Sequence, residues 1–129
     1  MQPTPKMPIT LTIDTEKRIV YSALHGVISE AEFLVQPERI RSHSAFEPTF
    51  SEIIDLRGIT DVQVSPEAIR NLATTESIFS RESKHVVISP SGLIYDFARM
   101  FQANAEHTRP NVVIVKTPEE AYDYLREPS

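Results

Sequence analysis

Three short segments carry most of the side chains that could do chemistry. Asp55-Leu56-Arg57, with Asp61 close behind, sets two acids beside a guanidinium. Ser65-Pro66-Glu67 offers a hydroxyl at the start of a predicted helix, and Ser89-Pro90-Ser91-Gly92, with Tyr95 following, offers two more. Paired carboxylates suit general acid–base work, a serine hydroxyl suits group transfer, and the free N–H groups of a helix start suit an anion. Each segment lacks its complement. No histidine neighbours a serine-nucleophile motif, and Ser91-Gly92 is not part of a phosphate loop. His25, His43, His85 and His107 show no metal-ligand spacing. Cysteine is absent, which excludes thiol catalysis, thiolate metal sites and disulfides together. The chain therefore reads as a non-enzyme without metal or cofactor.

The elements that must hold these residues follow from periodicity. Ile9, Leu11 and Ile13 alternate with polar residues, which predicts a strand over 9–14. A turn at Thr15-Glu16-Lys17 returns the chain as an antiparallel strand over 18–27. Ser29-Glu30-Ala31-Glu32 is a capping box that opens a helix with Phe33, Pro37 and Ile40 on one face, and Pro37 predicts a kink or restart there. Continuous apolar runs predict parallel strands over 51–56, 84–88 and 111–115, buried on both faces and joined by right-handed crossovers. Ser65 is placed to cap the next helix, with Pro66 at its first position and Ala68, Leu72 and Phe79 facing inward. Glu76 falls inside that apolar arc. A helix over 91–107 carries a broad stripe of Leu93, Ile94, Phe97, Ala98 and Phe101, with Tyr95 and Arg99 on its polar side. Thr117-Pro118-Glu119-Glu120 opens a terminal helix.

Composition narrows the partners. Of 129 residues, 13 are basic and 18 acidic, a formal charge of −5 that repels phosphate backbones and anionic surfaces. Nucleic acid is not expected as a partner, nor is stable membrane insertion, because no apolar run approaches a bilayer span. Residues 1–8, with Pro3, Pro5 and Pro8, read as an N-terminal arm without a secretory apolar core, and 9–129 read as one cytoplasmic domain.

The run Ile53-Ile54-Asp55-Leu56-Arg57-Gly58-Ile59-Thr60-Asp61-Val62-Gln63-Val64-Ser65 resembles the signature of STAS domains, the anti-sigma-factor antagonist or SpoIIAA-like family. There an aliphatic strand ends in Asp-Leu and leads to Asp-Ser-Ser-Gly at a helix start, the second serine being the phospho-acceptor. Ser65 keeps that position, while Gln63, Val64 and Pro66 replace the other three. Leu93 to Phe101 is also similar to a helix of uncharacterised bacterial STAS-like proteins. The resemblance implies an α/β fold with a mixed five-stranded sheet, an N-terminal antiparallel hairpin followed by parallel strands, and about four helices. It also implies a regulatory protein–protein interaction module gated by phosphorylation at Ser65. The expected surface comprises Asp55, Arg57, Asp61, Ser89, Ser91, Gly92 and Tyr95. Because some relatives bind lipid-like ligands, the alternative is a small-molecule or lipid carrier with an apolar pocket under the 91–107 helix. The wide stripe on that helix further suggests a homodimer. The residues also have plain structural roles open to them: Ser65 as a cap, Asp55 accepting from backbone N–H groups, and Arg57 pairing with Asp55 or Asp61.

Overall fold

β-branched runs form the strands and capping motifs start three of the four helices. The computed structural model describes residues 8–90 and 92–128. In chain order the elements are β1 (Ile9–Asp14), β2 (Ile19–Ser29), α1 (Glu30–Arg41), β3 (Ser51–Gln63), α2 (Pro66–Thr74), β4 (His85–Ile88), α3 (Leu93–Asn104), β5 (Val112–Val115) and α4 (Pro118–Arg126). They build one five-stranded sheet in the order β1-β2-β3-β4-β5. β1 runs antiparallel to β2, and the other three pairs are parallel.

That monotonic order decides where the helices go. Right-handed crossovers that always step the same way along a sheet lay their helices on one face. α1, α2 and α3 accordingly share a face with Ile9, Val20, Leu24, Ile28 and Val87. Among the described helices α4 alone covers the other face, Ala121 packing on Ile19, Ile53, Val86 and Ile88. Ile53, Val86 and Ile88 are fully buried, each worth roughly 1.5–3 kcal/mol over exposure. Parallel strands in this order have no point where the direction of winding reverses, so the crevice that serves doubly wound sheets is missing.

The structure departs from the sequence reading at several boundaries. β3 does not stop at residue 56 but runs to Gln63, through the segment that resembles a strand-end turn. Two register shifts against β2, between Ala23 and His25 and between Gly26 and Val27, place extra residues in β3 and bend it onward. Gly58 makes this possible, since a Cβ there would stand 2.7 Å from His25 Nδ1 and 2.9 Å from the Leu24 carbonyl. α1 is a single helix with Pro37 inside it, neither broken nor restarted. α2 ends at Thr74, so Phe79 does not share its face and Glu76 lies beyond it, exposed. The cause is distant in sequence: Arg109 Nη1 donates to the carbonyls of Leu72, Ala73 and Thr75, taking over the last carbonyls of the helix. α3 spans Leu93–Asn104, shorter than 91–107. Its stripe of Ile94, Phe97, Ala98 and Phe101 turns toward the protein interior, leaving Leu93 exposed. The argument for a dimer from an uncovered stripe on this helix therefore lapses.

Candidate functional site

The sequence candidates do not converge on one site. Asp55 sits at the end of the part of β3 that pairs with β4, on the α4 side of the sheet, and its two oxygens are fully engaged. Tyr21 Oη donates to Oδ2 at 2.6 Å, and Arg57 donates Nη2 to Oδ2 at 2.7 Å and Nε to Oδ1 at 3.0 Å. The Arg57 backbone N–H adds a fourth bond to Oδ1 at 3.1 Å. Burial alone would push this carboxyl up, but the bonds from Arg57 and Tyr21 outweigh it and hold it below the usual carboxylate range. The same arrangement raises Tyr21 to about 12, through burial first and the Asp55 carboxylate second. A carboxylate so saturated is a clamp between β2 and β3 and has no lone pair left for a substrate. Asp61 stands apart from this clamp. It is exposed and accepts from the N–H of Val62 at 3.0 Å.

Ser65 caps α2 as its position implies, accepting from the Ala68 N–H at 3.1 Å. It also ties α2 to α1, because its hydroxyl and its backbone N–H both donate to Glu30 Oε1, at 2.9 and 3.1 Å. Those two bonds lower the Glu30 carboxyl, the backbone one most. Ser89 is buried and donates to the Pro90 carbonyl, Gly92 starts α3 at φ 88°, and Tyr95 is half-buried on α3. Ser91 lies outside the described residues.

What the structure does contain is a cavity. It lies between the sheet and α1, α2 and α3, with a volume of about 150 Å³. Leu24, Ile54, Leu56 and Val87 form its floor, and Phe33, Ile69, Phe97 and Phe101 are among the helix residues over it. Apolar cavities of about this size in other proteins stay dry and bind benzene-sized molecules.

Two buried charges border this space. Glu52, 9% exposed, lies on β3 with Ile54 and Leu56 on the inward side, and its Oε1 meets His85 Nδ1 at 2.8 Å. His85 itself is 1% exposed and packs edge-on against Phe79. Arg109, 8% exposed, stacks its guanidinium over Phe101 at 5.4 Å while capping α2. Burial pulls its pKa down and the Glu52 carboxyl opposes that shift. The sequence reading passed over both. The parity of Glu52 with Ile54 and Leu56 was a usable signal, whereas nothing local marks Arg109. Among the described residues no group of acids and histidines could hold a metal ion, and no helix is long and apolar enough to cross a membrane.

No family model matches the chain, and no curated protein matches it. Among solved structures it resembles an uncharacterized protein of the DUF3478 family with a SpoIIAA-like fold from Shewanella loihica PV-4. The TM-score is 0.60 at 13% identity, covering 97% of this chain and 99% of that one. At that identity the likeness establishes the fold alone, and the chain has a SpoIIAA-like α/β fold.

Proposed function

Proceeding from the SpoIIAA-like fold and the apolar cavity beneath α1, α2 and α3, we propose that this chain is a binding protein, not an enzyme, and holds a compact apolar molecule. The cavity carries this reading. Its wall is almost wholly apolar, so an apolar ligand seated there would remove surface from water at about 25 cal/mol per Å². A ligand bound only by the folded chain would stabilise it in proportion to its occupancy. The volume favours a ring or short chain over a whole lipid, which narrows the carrier that the sequence offered as the alternative reading. Titration with toluene, followed by backbone amide NMR, tests it. Saturable shifts grouped around Ile54, Val87, Phe97 and Phe101 are expected. Shifts absent up to toluene's solubility would defeat the proposal.

A second reading, the regulatory interaction module, has its own support. Leu34 and Val35 on α1 are 47% and 46% exposed, one turn from the Glu30 that holds Ser65. A partner docking there would cover them and sense the α1–α2 tether. Phosphorylation of Ser65 fits less well, because roughly −1.5 to −2 charges would arrive beside the Glu30 carboxylate. Leu34→Asp with Val35→Asp should abolish capture of any partner while leaving toluene binding intact. Retained capture would remove this reading.

A further inference from the structure

The polar side chains lining the cavity are few, and most are satisfied. Gln36 Nε2 donates to Ser22 Oγ at 3.1 Å and Gln36 Oε1 accepts from Arg39 at 3.0 Å. Ser77 Oγ accepts from the Phe79 N–H at 3.1 Å. Glu52 and Arg109 differ. Glu52 uses Oε1 for His85, and Arg109 sends all its hydrogen bonds from Nη1, so Glu52 Oε2 and Arg109 Nε and Nη2 have no partner among the described residues. None of these three is a sealed, unpaired atom; among the described residues only Glu32 Oε2 is. Both residues are less than a tenth exposed and both line the cavity. Their unpartnered atoms each keep some accessible surface. The two charges make no direct ion pair, although the Glu52 carboxyl acts electrostatically on Arg109. An acceptor and a donor thus border one apolar space without meeting.

We infer that the cavity selects an apolar molecule with one uncharged hydroxyl head, an alcohol or phenol, which bridges Glu52 and Arg109. This inference rests on the binding function proposed above. A hydroxyl both donates and accepts, so one group donates to Glu52 Oε2 and accepts from an Arg109 N–H without adding charge. A carboxylate would satisfy Arg109 but face the Glu52 carboxyl, and an ammonium would reverse the conflict. A plain hydrocarbon leaves both sets of atoms unpartnered in an apolar space, the situation that costs most.

Four ring compounds of matched size separate these cases: toluene, benzyl alcohol, benzoate and benzylamine, each titrated into the intact protein by amide NMR or calorimetry. In a purely apolar cavity benzyl alcohol binds more weakly than toluene, since its hydroxyl must leave water. Here benzyl alcohol is expected to bind at least as tightly as toluene, with benzoate and benzylamine weaker by about tenfold or more. Glu52→Gln removes the like charge, so benzoate should gain about tenfold relative to benzyl alcohol, a change that general loosening would not produce. If toluene binds and benzyl alcohol lags it by about tenfold, the hydroxyl selectivity is wrong while the cavity function stands. Benzoate as the tightest ligand would also overturn it. If none of the four binds, the function itself has failed.

Discussion

Filling the cavity from α3 should stabilise the free protein and block the site in one step. Ala98 is 4% exposed and lines the space, and leucine is nearly as good a helix former as alanine. Ala98→Leu adds three carbons. At about 0.8 kcal/mol per buried methylene they could contribute at most roughly 2.4 kcal/mol. Overpacking strain of about 1–3 kcal/mol is the opposing effect in a filled core, and it should be small where empty volume already exists. A net gain of about 1–2 kcal/mol is expected, raising the melting temperature by roughly 3–8 °C for a domain of this length. The assay is calorimetric melting of both proteins, paired with the toluene titration. The variant should melt higher and show no saturable toluene shifts. A lower melting temperature with unchanged toluene binding would refute the reasoning, because it would mean the space beside Ala98 is not the void described.

Other expectations concern the polar clamp, the cap and the bulge. Asp55→Asn should cost about 1–3 kcal/mol at neutral pH, since charge-assisted bonds from Tyr21 and Arg57 weaken together. Because the folded-state Asp55 carboxyl is lowered, its contribution is complete above the unfolded value near 3.9 and fades as pH falls through the folded one. Denaturation of the two proteins should therefore differ steadily from about pH 5 to 8 and converge below about pH 4, and a pH-independent gap would contradict this. The ultraviolet titration of Tyr21 should move down from about 12 in the same variant. Ser65→Ala should lose about 1 kcal/mol of cap stability in urea unfolding. Ser65→Asp should not exceed the wild type, because the new carboxylate would face Glu30, and a clear gain would show that the Glu30 contact is unimportant. Gly58→Ala should destabilise by about 1–3 kcal/mol, because a Cβ would press on the Leu24 carbonyl, and a neutral result would mean the β2–β3 bulge relaxes freely.

Much of the fold follows from local pattern. Alternation at Ile9, Leu11 and Ile13, the capping boxes at Ser29 and Thr117, and the β-branched runs around Val86 and Val113 each set an element within a residue or two. The failures have tertiary causes. α2 ends where Arg109, far along the chain, takes its carbonyls, so Glu76 and Phe79 left a helix that periodicity had extended over them. β3 continues past Leu56 because β2 pairs with it through two bulges, a register no single strand encodes. For the site the outcome is less even. Ser65 and Asp55 stood out because their residue types are chemical, and both are occupied by structural bonds. The cavity lies between the sheet and α1, α2 and α3; the broad apolar stripe of the 91–107 helix pointed to a pocket beneath it, but the part that α1 and α2 play in closing it has no local signature. For the polar part of its wall Glu52 was the available hint, a carboxylate with the inward parity of Ile54 and Leu56.

Native mass spectrometry of protein taken freshly from cells bears most directly on the claim that this domain holds a compact apolar molecule. The 14.6 kDa chain should carry one bound neutral species per subunit, released on activation and of ring or short-chain size. Ala98→Leu prepared in parallel should emerge without it. A bare chain in every charge state, or a full-length lipid retained equally by the wild type and Ala98→Leu, would contradict the account.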